Sequence, residues 1–166
     1  MLQPVVRRTL APRGQTPILG CWDRHDRLSV ISGLTLAPRR RRIGLYFDIH
    51  NNNIRADDVY RFIQTVRHRL RRKIILVLDR WSVHRAAIRQ LLERHARSID
   101  IELLPAYAPE LNPTEQVWNH TKYADLANYI PDDIHDLGVE VASSMLETRS
   151  TPALLRSFFN WAGLDL

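Results

Sequence analysis

The run Lys73-Ile-Ile-Leu-Val-Leu-Asp79 holds five consecutive apolar residues with no polar alternation, and it narrows the possible architectures more than any other stretch of the chain. A strand with one wet face alternates apolar and polar side chains. An uninterrupted apolar strand is expected where helices cover both faces of a sheet. The run therefore predicts a strand inside an α/β domain. Asp79 closes it at the carboxyl end, where open α/β sheets place their ligands.

The surrounding pattern agrees. Leu28 to Leu36 alternates and is rich in β-formers, and Ile43 to Ile49 reads as a second strand; Pro38 and the run Arg39 to Arg42 connect them as an antiparallel hairpin with a basic tip. Asp57 and Asp58 open a helix whose apolar positions Val59, Phe62, Ile63, Val66 and Leu70 follow three–four spacing. Ala87, Ile88, Leu91 and Leu92 mark another helix, and Ile99, Ile101 and Leu103 another strand. Asn112-Pro-Thr-Glu115 predicts a helix start with Asn112 as its cap. Beyond Pro131 two more helices are expected, one carried by Val139, Met145 and Leu146, the other by Leu154, Leu155, Phe158 and Phe159. Ala11 to Pro17 is turn-rich. The order predicts an α/β domain with a mixed sheet flanked by helices.

At 166 residues, 45% of them apolar, the chain fits a single domain with a real core. Lysine and arginine number 24 against 18 acids, a net charge of +6 that favours a polyanionic partner. Arginine greatly outnumbers lysine and is the better bidentate phosphate ligand. Cys21 is the only cysteine, which excludes an internal disulfide and a cysteine-based zinc site. No run reaches the roughly 18 apolar residues of a membrane span, and Met1 to Arg8 lacks a signal-peptide core, so a cytoplasmic protein is expected.

Two acids carry the chemistry. Asp79 at a strand end and Glu115, one turn into a later helix, have 35 residues between them and can share a divalent cation, because carboxylate oxygens suit Mg²⁺ and Mn²⁺. Each has a plainer use. Asp79 can cap the next turn or pair with Arg80 or Arg85, and Asn112-x-x-Glu115 matches a capping box in which the glutamate only reaches back to the cap amide. His84 can orient a phosphate or a metal-bound water, or simply sit on the surface. Trp81 and Trp118 read as packing residues.

Leu76-Val-Leu-Asp-Arg-Trp-Ser-Val-His84, followed by Leu104-Pro-Ala-Tyr-Ala-Pro-Glu-Leu-Asn-Pro-Thr-Glu-Gln-Val-Trp118, strongly resembles the catalytic domain of mariner-like bacterial insertion-sequence transposases, members of the DDE superfamily of endonucleases. Arg8-Thr-Leu-Ala-Pro-Arg-Gly-Gln-Thr-Pro17 is similar to the same family, so the resemblance covers most of the chain. Leu10 stands where a tryptophan is usual, and Arg80 replaces a frequent asparagine. The resemblance implies a ribonuclease H-like fold and three acids binding two Mg²⁺ (or Mn²⁺) ions for cleavage and strand transfer of DNA phosphodiesters. Asp79 and Glu115 correspond to the second and third acids. Arg13, Arg39, Arg40, Arg41, Arg42, Arg80 and His84 are the candidate DNA contacts.

In that family the first acid lies on the first, central strand, a few residues before the stretch matching Leu2 to Val6. The sequence is thus expected to be one catalytic domain over 1–166, truncated at its start, lacking that strand, its acid and any helix-turn-helix module. Asp48, Asp23 and Asp26 are weak substitutes. The expected partners are DNA (transposon ends and target), a second copy, or a transposase polypeptide from an upstream reading frame; no membrane is expected. Alone, the chain is expected to show little or no strand transfer. Competing readings are a non-catalytic DNA-binding or regulatory fragment and a different metal-dependent phosphoesterase on a similar fold.

Overall fold

The structure is a computed structural model that describes residues 7–15, 18 and 27–166. Its first elements are strands β1 (Ser29–Leu36) and β2 (Ile43–His50), paired antiparallel over their whole length with Leu34 opposite Leu45. The tip closes when Ala37 N–H donates to the Arg42 carbonyl and Arg40 N–H to that of Ala37, with Arg40 at φ 54°. Helix α1 (Ala56–Leu70) follows. The Asp58 carboxylate accepts the Arg55 N–H at 2.9 Å, while Arg67, His68 and Arg69 lie in the last turn, so both ends suit the helix dipole. Strand β3 (Ile74–Leu78), helix α2 (Ser82–His95) and strand β4 (Ile99–Leu103) then form a β–α–β unit in which β3 and β4 are parallel and α2 packs on α1.

A 3₁₀ turn (Pro109–Leu111) leads to α3 (Thr114–His120), which continues into a π-helical turn at Thr121–Asp125. Helices α4 (Ile134–Ser150) and α5 (Pro152–Trp161) complete the chain. Asp133 caps α4 by accepting the Asp136 N–H at 2.8 Å. The four described strands form two separate pairs, β1–β2 and β3–β4, rather than one continuous ladder.

Two apolar clusters hold these layers together. In one, Leu28 and Leu45 pack with Val117, Val141, Met145, Leu155 and Phe158 from α3, α4 and α5. In the other, Ile31, Val59, Ile63, Ala87, Leu91 and Ile99 join β1 to α1, α2 and β4. Full burial of one such aliphatic side chain contributes about 1.5–3 kcal/mol. Strand β1 serves both clusters because its side chains alternate: Ile31 points to one, and Val30 and Leu34 to the other. Gly33 lies against α1, where a Cβ would stand 3.5 Å from Phe62 Cε1.

Three expectations need correction. The Ile74–Leu78 strand is covered on one face only: Ile74 and Leu76 pack in the second cluster, while Ile75 and Val77 are 68% and 54% exposed. The helices α3 to α5 lie over the β1–β2 hairpin, and no described element covers that face of β3–β4. In α4 the inward residues are Leu137, Val141, Ser144, Met145 and Thr148, so Val139 and Leu146 face outward. Asn112 is not the residue immediately before α3; Pro113 is, and Asn112 Oδ1 accepts the Thr114 N–H at 3.1 Å from one position earlier.

Candidate functional site

Asp79 follows β3 directly and is held by the start of α2. Its Oδ1 accepts the Trp81 backbone N–H at 2.9 Å and a bond from His84 Nδ1 at 2.6 Å. An ionised carboxylate only accepts, so His84 donates from Nδ1, and its neutral tautomer leaves Nε2 as an acceptor. Asp79 Oδ2 has no partner among the described residues. The turn-capping role and a ligand role thus fall on different oxygens of one carboxylate. Trp81 stands edge-on to the His84 ring at 5.2 Å between centroids and is half exposed, so it is less a packing residue than its sequence suggests.

Glu115 sits in the first turn of α3. Its backbone N–H donates to the Asn112 carbonyl at 3.0 Å, but its carboxylate has no hydrogen-bond partner among the described residues. The capping box is therefore not formed. Burial pushes the Glu115 carboxyl up from its usual value, and the Asp79 charge pushes it further, against a smaller opposing effect of Lys122. The two acids feel each other and line the same cavity, with His84, Trp118 and Lys122 beside them. Sequence reasoning missed Lys122. It lies seven residues beyond Glu115 across the change from α- to π-helical geometry, where helical spacing no longer predicts a shared face.

The sign of the Glu115 effect gives a testable pH dependence. A raised folded-state value means that the folded chain holds this proton more tightly than the unfolded chain. Its contribution is complete below the usual glutamate range and is lost as pH rises through the raised value. In chelator, Glu115→Gln is expected to flatten the decline in melting temperature between about pH 4 and pH 7. Parallel slopes for the two proteins would contradict this.

The remaining candidates are spread out. Arg80 Nε donates to the Leu104 carbonyl at 3.1 Å, tying the ends of β3 and β4 together. Arg13 lies in an exposed turn closed by Gln15 N–H to the Pro12 carbonyl, with Gly14 at φ 85°. Arg40 donates from Nη1 to the Asp165 carbonyl at 2.7 Å. Arg39, Arg41 and Arg42 line the cavity, together with Arg69 and Arg72 at the end of α1. These five arginines share the mouth where β3 begins; Asp79 is at the other end of that strand, roughly 17 Å away for five residues of strand. The fold separates the basic tip from the acids. Asp48 is on β2, 3.2 Å from His50 Nε2, and does not join Asp79. Asp23 and Asp26 lie outside the described residues.

The arrangement fits a divalent cation in part. Two carboxylates with unused oxygens face one cavity and repel each other, which a cation relieves. Mg²⁺ is commonly held by one or two carboxylates, with water and phosphate oxygens completing its shell. Among the described residues no third His, Cys, Asp or Glu completes a metal-binding cluster.

Fold and sequence now place the chain. It belongs to the DDE superfamily endonuclease family, whose profile matches residues 1–137. Its ribonuclease H-like α/β fold is similar to that of a chain in the crystal structure of the Mos1 strand transfer complex, with a TM-score of 0.58 and 14% identity. That match covers 96% of this chain and 49% of the other, so this chain spans about half the length of its structural relative. No curated protein matches the sequence. No helix of the described residues is long and apolar enough to cross a membrane.

Proposed function

We propose that this chain is a transposase-type DNA-processing domain in which Asp79 and Glu115 hold Mg²⁺ or Mn²⁺. The observation that carries the reading is the shared cavity in which burial and the Asp79 charge both act on a carboxylate without a protein partner. When bound, the ion polarises a phosphodiester and lowers the pKa of the attacking hydroxyl or water. The protein's part is positional. His84 and the Trp81 amide fix one oxygen of Asp79 and leave the other without a partner among the described residues, and α3 carries Glu115 to the same cavity. Arg39, Arg41 and Arg42 carry the phosphate backbone at the far mouth, by charge rather than by base reading.

The test is Mg²⁺-dependent nicking of DNA by the full chain, with Glu115→Gln beside it. With no third acid beside Asp79 and Glu115 among the described residues, slow nicking is expected, and Glu115→Gln is expected to abolish what there is. Nicking that survives this change would overturn the assignment. The separation of the arginine mouth from the acids also favours a second reading, a DNA-binding fragment that regulates a complete transposase without catalysis. Salt-sensitive DNA binding with no metal-dependent nicking by either protein supports that reading.

A further inference from the structure

Three elements distant in sequence bring their cations to one end of the domain, opposite Asp79. The β1–β2 tip carries Arg39 to Arg42, all exposed. Helix α1 finishes with Arg67 and Arg69, and its connection to β3 adds Arg71, Arg72 and Lys73. The link from α2 to β4 adds Arg97. The fold joins these places. Arg39, Arg41 and Arg42 line a cavity mouth with Arg69 and Arg72, Arg67 Nη1 donates to Ser98 Oγ at 3.4 Å, and the Ser98 carbonyl accepts the Ile74 N–H at 3.1 Å. Ten of the chain's 24 lysines and arginines thus share one end, and the five residues of β3 set it roughly 17 Å from Asp79.

Local structure does not account for this charge. Cations in the last turn of a helix answer its dipole, which explains Arg67 and Arg69. Arg71, Arg72 and Lys73 lie past the helix, and the hairpin tip has no dipole to answer. Lys73 is paired with Asp100 at 2.8 Å, and Arg40 reaches only the backbone carbonyl of Asp165. Arg39, Arg41, Arg42, Arg69, Arg71 and Arg72 have no ion-pair partner among the described residues. The crowding is felt inside the fold: burial lowers the His95 pKa, and Arg67, Arg94 and His68 lower it further. Like charges gathered in this way repel one another, and a polyanion relieves that repulsion.

We propose that this basic end is a docking surface for the phosphate backbone of duplex DNA, and that it grips DNA without the two acids and without a metal ion. The partner class rests on the DNA-processing role proposed above; the location rests on the charges alone. One phosphate group is satisfied by one or two guanidinium forks. Cations spread over the hairpin tip and the ends of two helices call for a row of phosphates instead. Arginine forks hold phosphate oxygens and read no base there, so docking is indifferent to sequence. The backbone held here does not continue along α1 toward the catalytic end, because that helix opens with Asp57 and Asp58, whose charge repels it. Grip and chemistry sit at opposite ends of the domain.

The experiment titrates the full chain with a fluorescent duplex of arbitrary sequence, about two helical turns long, in chelator and over a series of salt concentrations. Arg69→Gln combined with Arg72→Gln is expected to weaken binding about tenfold or more near 100 mM salt. The slope of log affinity against log salt should fall by up to about two units. Arg85→Gln combined with Arg89→Gln, exposed positions on α2, removes the same charge and should weaken binding by less than about twofold. Melting temperatures of both double variants check that each is folded. Equal losses in the two variants overturn the proposal, as does binding by the unaltered chain that appears only when Mg²⁺ is added. Nicking that fails while metal-free binding persists counts against the metal reading and leaves the docking surface standing.

Discussion

Asp79→Asn is expected to remove the stabilisation that Mg²⁺ or Mn²⁺ confers on this chain. A cation that binds only the folded state with a millimolar dissociation constant adds about 1.4 kcal/mol at ten times that concentration. For a chain of this size that is a rise of roughly 3–6 °C in melting temperature. Asparagine keeps an acceptor for the Trp81 N–H, so the fold is little disturbed, but it supplies no anionic oxygen to an ion. The metal-induced shift should vanish, and nicking should fall by at least about a hundredfold if the ion supplies several kcal/mol at the transition state. DNA affinity should stay the same or rise slightly. Replacing Arg39, Arg41 and Arg42 together by alanine provides the opposite control: DNA binding loses up to about three units of salt dependence, while the metal shift remains. A metal shift retained by Asp79→Asn would remove this residue from the site.

Leu45→Ala should be the most damaging single change in the β1–β2 layer. Leu45 is 1% exposed and lies opposite Leu34, under Val141, Met145 and Leu155. Deleting its branched end leaves a cavity that the paired strands cannot close, at a cost of about 2–5 kcal/mol. The total stability of such a domain is only about 5–15 kcal/mol. A melting temperature lower by roughly 5–20 °C is expected, with a denaturant midpoint that falls at constant slope. Leu146→Ala, on the outer face of α4, should change stability by less than about 0.5 kcal/mol. Equal effects of the two changes would mean that the packing of α4 on the hairpin is wrong.

Much of the fold was legible because the local signals were unambiguous. The five-residue apolar run gave β3 its bounds, and alternation gave the hairpin. Three–four spacing marks α1, and its buried Val59 and Ile63 belong to the face that this spacing defines. Helix α4 was harder. Apolar residues stand all round it, and spacing alone does not tell Val141 from Val139. Its inward face is set by the hairpin it meets, a contact distant in sequence. The coverage of β3 was misjudged for the same reason: an apolar strand states a need for cover, not its presence.

For the site, sequence pointed to Asp79 and Glu115, and the fold places both at one cavity. It gave no sign that His84 would hold Asp79, since a spacing of five across a strand end and a helix start has no fixed geometry. Nor did it show that Arg80 would be used on the Leu104 carbonyl. The arginines of the hairpin tip were visible as a run. Their company with Arg69 and Arg72 depends on α1 turning back along the hairpin, which no local pattern encodes.

The alternation of β1 between two cores has a consequence for how this chain can vary. An added or lost residue on a surface loop only changes a path through solvent. Within β1 it would exchange the inward and outward series for the rest of the strand, putting Ile31 toward α4 and Leu34 toward α1. Both interiors would fail together. Of all the segments described, this strand has the least freedom to change in length, whatever substitutions its individual positions accept.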